Sequence, residues 1–413
     1  MTEPSRTDRQ RRLGLAAVAL HMAGIGLTLG VLFPLTSLTL ERWGSADRTI
    51  GLAGAMSPIA ILLLMPFLPR VVSRLGAVRS MLSGCALAAV AFAAMYAFQN
   101  VPAWLAGRFL IGAGLALPWL VGDVWINAVS TEAERGRVIG AYVGCFFTGF
   151  AIGPVALDAV GLEGVPPHAL GIGALALATL PLVAARRLAP PIEVAPERGL
   201  VGAMRAVPVV AVGALAAGFA ESAAFALLPV WGLDAGLAEG GALALLSTFI
   251  VGGIALQLAT GVLADRIDRT ALLAVAGLGL AAVSVALELA GPGAAFALAF
   301  LAGGLALAIY GLSLTLLGQR FAPAELATAS AAWLVLYQLG SMSGPVLAGA
   351  AMDVAGGVGF SAALAVAGVA CGAAALLGRR AGRRGAHPPR PQGAVRGAPP
   401  VPAPGRRSGN DPA

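Results

Sequence analysis

The chain has 413 residues, of which 58% are hydrophobic and 11% are charged, and its mean hydropathy is +0.85. Soluble globular proteins are about half apolar and about a quarter charged, so a soluble enzyme, a disordered protein and a disulfide-rich secreted domain are excluded. The formal net charge of +7 comes from residues 379–413, which hold eight Arg and one Asp, whereas residues 1–378 hold 19 Arg and 19 acids. A nucleic-acid interface needs basic residues on a folded face, and none is predicted.

Apolar runs of about 20 residues, the length that crosses a bilayer, recur along the whole chain. Six runs precede a polar segment at 186–205 and six follow it. This pattern predicts an all-α integral membrane protein with twelve transmembrane helices in two pseudo-symmetric six-helix halves, 13–185 and 206–377. The predicted spans are 13–38, 50–68, 78–98, 102–127, 138–160, 168–185, 206–231, 241–263, 270–290, 293–317, 327–350 and 357–377.

Three segments are predicted to lie outside the spans: an N-terminal tail (1–12), a linker (186–205) and a C-terminal tail (378–413). The first apolar run is longer than that of a secretory signal and lacks a cleavage site, so it is interpreted as a membrane helix. The C-terminal tail is rich in Arg, Pro, Gly and Ala without apolar periodicity, and we expect it to be disordered. Its charges are suited to contact anionic lipid; the alternative is a solvated tail with no specific role.

Arginine positions predict the orientation. With a cytoplasmic N-terminus, 24 of the 27 arginines lie in cytoplasmic tails, loops or the linker. The outside loops hold only Arg42 and Arg48, and Arg108 lies within a span. Because basic residues are retained on the cytoplasmic side, both termini are expected in the cytoplasm.

A spacing pattern in the fifth span recurs 191 residues later in the eleventh. Each copy places two aromatic residues and two glycines on one helix face, and a proline directly follows the second glycine. Such a duplication is typical of transporters, and small residues followed by proline allow helices to approach closely and bend. The repeated positions are Tyr142, Phe146, Gly149, Gly153 and Pro154 in the fifth span and Trp333, Tyr337, Gly340, Gly344 and Pro345 in the eleventh.

Two motifs carry a resemblance to a known family. The loop after the eighth span contains Gly261-Val-Leu-Ala-Asp265-Arg266-Ile-Asp268-Arg269. The fourth span ends in Asp123-Val-Trp125-Ile-Asn127, and Arg135-Gly136-Arg137-Val138 follows it. With these motifs the chain resembles the major facilitator superfamily over residues 13–377, and within it the YcaD-like group.

The resemblance implies the fold of that superfamily and transport of a small molecule by alternating access. Two positions depart from its pattern. Ser73 replaces the usual acid in the loop after the second span, and Leu157 replaces the last glycine of the helix 5 antiporter pattern. The neighbouring Arg74 and Gly76, and Gly261 in the equivalent loop of the second half, are candidate conformational residues.

The charged motifs are expected to act in gating. Asp123 with Arg135 and Arg137 is predicted to form an ion-pair latch on the cytoplasmic side that opens during the cycle. The alternative is static charge neutralisation and topology.

Gating on the one hand, and static charge neutralisation and topology on the other, are also the two interpretations of the charged loop after the eighth span. Asp265 is expected to accept hydrogen bonds from a helix N-terminus, where the helix dipole favours an anion. Arg266 and Arg269 are expected to pair with nearby acids.

Ionisable residues inside a span are costly and usually face a cavity. Arg108 begins Arg-x3-Gly112-x-Gly114, which is similar to the superfamily's helix 4 motif tied to proton coupling. It shares one helix face with Gly112, Trp119 and Asp123. We expect it to bind an anionic group or respond to a protonating acid; the alternative is an arginine that extends to the outer headgroups.

Glu221 is the acid placed deepest in a span and is a candidate proton site, whereas the alternative is a carboxylate bonded to the backbone at a broken helix. His21 in the first span is a further cavity candidate, and the alternative there is a packed, hydrogen-bonded histidine.

The sequence therefore predicts a secondary transporter whose small-molecule site lies near the midplane, with proton antiport favoured over uptake. No G-x4-G-K-[ST] motif is present, so ATP is not expected to drive it. No cofactor or metal is predicted, and the three cysteines lie in apolar runs. The residues expected to line the path are Arg108, Glu221, Tyr142, Trp333 and Tyr337.

Two other functions stay open. A membrane enzyme acting on a lipid-linked substrate could use Asp265-x-x-Asp268 as a metal–diphosphate pair. A transport-dead sensor or scaffold fits the departures at Ser73 and Leu157. The expected partners are a small molecule, protons and membrane lipid, and no nucleic acid is expected to bind. The protein is expected to be a monomer. Arginine in place of lysine is typical of GC-rich bacteria, and the expected location is the bacterial inner membrane.

Overall fold

The computed structural model describes residues 8–131, 134–190, 207–321 and 323–385. Within these ranges the chain forms thirteen α-helices and a 3-10 turn at Arg186–Leu188, with no strand. The helices are α1 (Asp8–Arg42), α2 (Asp47–Leu64), α3 (Leu68–Leu75), α4 (Ala77–Ala97), α5 (Val101–Val129), α6 (Arg135–Val160), α7 (Val165–Ala184), α8 (Pro208–Asp234), α9 (Glu239–Ala264), α10 (Arg269–Leu289), α11 (Pro292–Arg320), α12 (Pro323–Ala355) and α13 (Gly357–Gly385).

Every described helix except the eight-residue α3 is long and apolar enough to cross a membrane, which gives twelve candidate spans. Each predicted span overlaps one of these helices, so the predicted all-α fold with twelve spans is confirmed. The short α3 lies in the loop between the second and third spans, where no helix was predicted.

Two helices extend into segments predicted as tails. α1 begins at Asp8, and α13 continues to Gly385, so residues 378–385 are helical and not disordered. Arg379 on this extension lies 3.2 Å from Asp268, and a basic side chain near a helix C-terminus is also favoured by the helix dipole. Residues 1–7, most of the linker (191–206) and the tail from 386 to 413 lie outside the described residues.

Helix packing is the same in the two halves. In the first half α1 packs on α6 and α7, α2 packs on α5, and α4 packs on α5 and α7. In the second half α8 packs on α12 and α13, α9 packs on α11, and α10 packs on α11 and α13. The repeat seen in the sequence is therefore a repeat of helix contacts.

The repeated glycines explain why these contacts are so close. A Cβ atom at Gly149 would overlap the backbone oxygen of Ala23 in α1, and one at Gly340 would overlap the backbone oxygen of Leu215 in α8. Gly153 and Gly344, each followed by the predicted proline, make the next contact along the same interfaces. Only glycine lets the two backbones meet at this distance.

The two ends of the bundle differ. We call the end where α1 begins and α13 ends the proximal end, and the end where α1 finishes at Arg42 the distal end. The halves meet through α1 and α8, α2 and α12, and α6 and α9. Hydrogen bonds, ion pairs and ring contacts join the halves in the distal part of these helices, whereas Trp119 and Asp123, further towards the proximal end on α5, are exposed. The space between the halves, called the inter-half cleft below, therefore opens at the proximal end.

Candidate functional site

The first half contributes one face of α5 to the inter-half cleft. Trp119 is 42% exposed although it lies well inside a membrane helix, and its ring packs edge-on against Phe146 with centroids 4.8 Å apart. Asp123, one turn closer to the proximal end, is also exposed. It is close enough to Tyr310 of the second half for an electrostatic interaction. Tyr142 is buried beside Asp123. These side chains therefore form the first wall of the cleft.

The second half contributes a cluster that joins an acid to three aromatic rings, and we call Glu221, Tyr310, Trp333 and Tyr337 the aromatic–acid cluster. The Tyr337 hydroxyl donates a hydrogen bond of 2.9 Å to Glu221 Oε2. The Trp333 and Tyr337 rings are stacked with centroids 5.5 Å apart, and the edge of Tyr310 packs against both. The indole of Trp333 donates to Ser313 Oγ at 3.1 Å. Glu221 and Tyr337 were both predicted to line the path, and the structure joins them by this hydrogen bond.

Glu221 has unused hydrogen-bonding capacity. It is 3% exposed and lies midway along α8, and its Oε1 atom has no hydrogen-bond partner among the described residues. The partner that it does have is a side chain of α12, so the alternative of a carboxylate bonded to a broken helix backbone does not describe this structure. A buried polar atom without a partner costs free energy unless another group binds to it or it becomes neutral.

Four phenylalanines close the cleft at its distal side, and we call them the aromatic plug. The Phe225 ring lies 5.6 Å from Phe33, 4.7 Å from Phe150 and 6.0 Å from Phe249, measured between centroids. Each of the four lies nine or ten residues from the distal end of its helix, which is about 14 Å at the helical rise of about 1.5 Å per residue. The plug joins both halves at a single depth.

The aromatic plug was not predicted, although one signal for it was available in the sequence. Phe225 follows Glu221 by four residues and therefore lies on the same face of α8. A single sequence gives no reason to bring Phe33, Phe150 and Phe249 to that face, because their contacts depend on how the halves pack.

Arg108 lies behind the plug and not in the open cleft. Its guanidinium sits 4.3 Å from the centroid of Phe33, and its Nε donates to the carbonyl oxygen of Ala53 at 3.1 Å. The residue is 1% exposed, and its two terminal nitrogens have no hydrogen-bond partner among the described residues. Arg108 lies on the same face of α5 as Trp119 and Asp123, as predicted from their spacing, but α2 covers the distal part of that face. Arg108 also does not extend to the headgroups.

His21 is not brought to the cleft. It is fully buried between α1 and α7, where its Nδ1 atom lies 2.8 Å from the carbonyl oxygen of Ala178. This contact matches the alternative of a packed, hydrogen-bonded histidine.

The predicted latch is not formed in this structure. Among the described residues no ion pair joins Asp123 to Arg135 or Arg137. Glu134, next to Arg135, is instead paired with Arg11 of α1. With the proximal end open, the latch residues stay a prediction for another state of the cycle.

The loop between α9 and α10 corrects one prediction. Asp268, not Asp265, caps a helix N-terminus, since its Oδ1 accepts a hydrogen bond of 2.6 Å from the backbone nitrogen of Ala271. Asp265 ends α9 and pairs with Arg269 at 3.3 Å, as expected for Arg269, whereas Arg266 has no ion pair within the described ranges. Asp268 is the better cap because it directly precedes α10.

Three further gating candidates lie at proximal loops. Arg74 is in the last turn of α3, and Gly76 joins α3 to α4 with a φ of +78°, a conformation that favours glycine. Gly261 lies in the last turn of α9 with open space around it. A Cβ atom at Gly76 or Gly261 would meet no atom within 4 Å, so neither glycine is packed against the other half in this conformation.

Ion pairs reinforce the distal closure. Arg42 contacts Glu163 of its own half at 3.1 Å and Glu239 of the other half at 2.7 Å. Arg48 contacts Asp353 of the other half at 3.5 Å. Sequence analysis counted Arg42 and Arg48 only as the two outside arginines. Their position apart from the basic residues at the proximal end was the available signal for these contacts.

A cavity of about 580 Å³ also lies at the distal end, but within the first half. Its aromatic wall includes Trp43, Trp104 and His168, which contact one another edge-on. Aromatic rings at this depth are typical of a membrane interface. Within the described ranges, no group of three or more His, Cys, Asp or Glu is placed to hold a metal ion.

Comparisons with known proteins agree with this architecture. The sequence model for the Major Facilitator Superfamily matches residues 15–293 and 210–409. An uncharacterized MFS-type transporter of Yersinia pestis (strain Pestoides F) is 26% identical over 287 residues, which are 67% of this chain and 73% of that protein.

Two further relatives match over shorter stretches. YfkF of Bacillus subtilis (strain 168) is 28% identical over 33% of this chain and 35% of its own length. YcaD of Escherichia coli O139:H28 is 29% identical over 22% of this chain and 24% of its own length. The chain therefore matches only about a third of YfkF and a quarter of YcaD.

Solved structures share the fold. A bacterial homologue of the human lysosomal transporter Spinster, in an inward-facing and occupied conformation, superposes with a TM-score of 0.72 at 14% identity over 92% of this chain and 98% of that one. The nucleoside transporter NupG gives 0.70 at 14% identity over 90% and 99%. The sequence model, the relatives and the shared fold lead to one conclusion: this chain belongs to the Major Facilitator Superfamily, and YcaD-like proteins are among its relatives.

Proposed function

We propose that the chain is a secondary transporter that moves a small molecule by alternating access and couples this movement to protons, with export favoured over uptake. Glu221 carries the proposal of proton coupling. It is buried in mid-membrane, accepts one hydrogen bond from Tyr337 and has one oxygen without a partner. An ionised group in that position costs several kcal/mol, so the carboxyl group is suited to take up and release a proton.

The proposed orientation places the proximal end in the cytoplasm of a bacterium, with the protein as a monomer in the inner membrane. The positive-inside bias supports this assignment. The basic residues of α3, of the start of α6 and of the end of α13 all lie at the proximal end, whereas Arg42 and Arg48 lie at the distal end. The conformation described here is then open to the cytoplasm.

Alternating access is supported by the contrast between contacts within and between the halves. Within each half, glycines bring helix backbones into direct contact. Between the halves, the aromatic plug and two arginines hold the distal end closed. Rocking of two rigid halves can therefore open the distal end and close the proximal one.

Arg108 has a place in the same cycle. Separation of Phe33 from Phe225 would uncover the guanidinium and its two unpartnered nitrogens on the distal side. Closure of the proximal end would bring Asp123 towards the arginines of the predicted latch. Export is supported by the glycine–proline pattern of α6, in which Leu157 is the one departure.

The test uses inverted membrane vesicles that overproduce the full-length protein, energised to an acidic interior and followed with a pH-sensitive dye. Addition of a transported solute should release protons and restore the dye signal. Glu221→Gln should reduce the recovery to background. Glu288→Gln is the matched control, because Glu288 is also a partly buried glutamate of the second half, bonded to Trp231 and Ser361, and it should retain the recovery.

Equal recovery in Glu221→Gln and the wild type would contradict the role of Glu221. Solute uptake into vesicles without any proton movement would contradict coupling and favour facilitated diffusion. A solute that binds but never crosses would favour a transport-dead sensor.

A further inference from the structure

We propose that the transported solute is a hydrophobic organic cation, bound in the inter-half cleft between Trp119 and Asp123 on one side and the aromatic–acid cluster on the other. This substrate class rests on the proposed function, since it assumes that the cleft is the transport site. The assignment comes from the charge that the open cleft presents, from its aromatic walls and from the free oxygen of Glu221.

The charge exposed in the cleft is negative. Asp123 is exposed on the first wall, whereas Glu221, the acid of the second wall, is 3% exposed and becomes negative when its proton leaves. Arg108, the cation placed deepest in the described spans, is covered by Phe33 and is 1% exposed. An anionic solute would therefore meet the carboxylate of Asp123 without reaching the guanidinium. A cation would be attracted by Asp123 and, once Glu221 has released its proton, by the second wall as well.

The walls are aromatic on both sides. Trp119 exposes 42% of its surface to the cleft, and Tyr310 and Tyr337 are half-buried opposite it. The faces of Trp and Tyr rings attract cations, and most strongly where water is excluded. The same rings provide apolar area for the body of the solute. A small, strongly hydrated inorganic cation would not use that area.

The free oxygen of Glu221 connects this solute to the proton. Tyr337 of α12 donates a hydrogen bond to Glu221, and Tyr310 of α11 lies close enough to Glu221 for an electrostatic interaction. Helices α1, α2, α9 and α13 also pack on α8, and Asp123 of the first wall is a further charged group close to Tyr310. A bound cation favours the ionised carboxylate, so a proton held by Glu221 is released to water when the solute binds. The same site then binds the proton and the cationic solute alternately, and this alternation is what exchange of the solute for a proton requires.

The test measures binding directly, using the full-length protein in lipid nanodiscs and two probes of similar shape. Tetraphenylphosphonium is the cationic probe, and triphenylphosphine oxide is the neutral one; empty nanodiscs correct for partition into lipid. We expect saturable binding of the cation at least tenfold tighter than that of the neutral probe. In weak buffer the binding should release protons, and Glu221→Gln should abolish this release.

Substitutions in the first wall test which of its side chains bind the cationic probe. Asp123→Asn should weaken cation binding at least fivefold, Asp123→Glu should restore most of it, and Trp119→Leu should weaken it more than Trp119→Phe. Glu288→Gln should leave it unchanged. Gel filtration shows whether each variant remains monodisperse, and rescue by Asp123→Glu separates charge from folding.

Two results would overturn the inference: equal affinity for both probes, or unchanged cation affinity in Asp123→Asn. Proton-coupled flux in vesicles with a solute pool free of cations, together with no tetraphenylphosphonium binding, would also overturn the substrate class while the proposed function stands. Cation binding without proton-coupled flux would support the substrate class and contradict the coupling.

Discussion

In the first half the ring of Phe146 meets Trp119 edge-on at 4.8 Å, and in the second half Tyr337 meets Tyr310 edge-on at 5.3 Å. These residues correspond at an offset of 191. The backbone contacts behind them correspond as well, because a Cβ atom at Gly26 would overlap the backbone oxygen of Phe146 and one at Gly218 would overlap that of Tyr337. The scaffold of the site is duplicated down to individual rings.

The polar groups on this scaffold are not duplicated. The contacts of α1 and α8 correspond at an offset of 192, which places Leu29 of the first half at the position of Glu221. Phe146 lacks the hydroxyl that Tyr337 donates. In the other direction, the counterpart of Asp123 is Leu314, which is also exposed. Each half therefore supplies one acid of the cleft, at a different position and depth.

This difference separates two kinds of constraint. Glycines and rings recur because they determine how helices pack, and packing is common to both halves. The acids are unique because a substrate and a proton need an asymmetric set of charges. The following variants test this division, beginning with the largest expected effect.

The largest effect should come from the shared glycine contacts. Gly149→Leu and Gly340→Leu each force a side chain into the backbone of a neighbouring helix. Overpacking costs about 1–3 kcal/mol of the free energy of unfolding and occasionally more, and a clash with backbone belongs at the upper end. We expect little monodisperse protein from either variant, measured by yield and gel filtration after extraction.

Gly173→Leu is the control, because a Cβ atom at Gly173 meets nothing within 4 Å. It should behave like the wild type. If one of the two glycine variants folded normally, the halves would not depend equally on this contact.

Arg108 should show the opposite pattern, with transport lost and stability kept. Its guanidinium has two buried nitrogens without partners, and replacing buried charges with apolar groups is often neutral or stabilising by about 1–4 kcal/mol. In Arg108→Met we therefore expect an unfolding temperature equal to or above that of the wild type. Proton-coupled flux in vesicles should fall to background. A clear loss of stability would instead make Arg108 a packing residue.

The sequence predicted the repeated parts of the molecule well. The twelve spans follow from the length of apolar runs, and the duplication follows from the spacing around Gly149 and Gly340. It also indicated Glu221, because an acid inside an apolar run is conspicuous. The aromatic plug and the covered position of Arg108 could not be predicted, since both depend on contacts between helices distant along the chain. The helix-capping role that Asp268 has in the structure was predicted for Asp265, because helix boundaries are uncertain by a few residues.

A smaller effect is expected when the second half is made to resemble the first. Tyr337→Phe copies Phe146 and removes the hydrogen bond to Glu221 Oε2, and a hydrogen bond to a charged group contributes about 1.5–3 kcal/mol. We expect proton-coupled flux to fall about tenfold while the ring packing with Tyr310 is kept. Phe146→Tyr is the reciprocal control, and it should leave the flux nearly unchanged because Leu29 offers no acceptor. Equal losses in both variants would show that only the ring environment matters.

The smallest effect should come from the distal ion pairs. Exposed ion pairs contribute about 0.2–1 kcal/mol, and about 1 kcal/mol changes the population ratio of two states about fivefold. Arg42→Gln removes the pair with Glu239 across the halves, so the distal-open state should become a few times more populated. A cysteine introduced as Ser247→Cys reports this opening, because Ser247 is 8% exposed and donates across the interface to the carbonyl oxygen of Ala151.

With Cys85, Cys145 and Cys371 replaced by alanine, the rate of maleimide labelling at position 247 should rise two- to fivefold in Arg42→Gln. The difference should shrink as salt is added, since screening weakens the exposed pair in the parent protein. Arg266→Gln, which alters an arginine at the proximal end, should leave the rate unchanged. If Arg42→Gln also left it unchanged, the aromatic plug alone would hold the distal end closed, and the pairing of Arg42 with Glu239 would follow from closure without stabilising it.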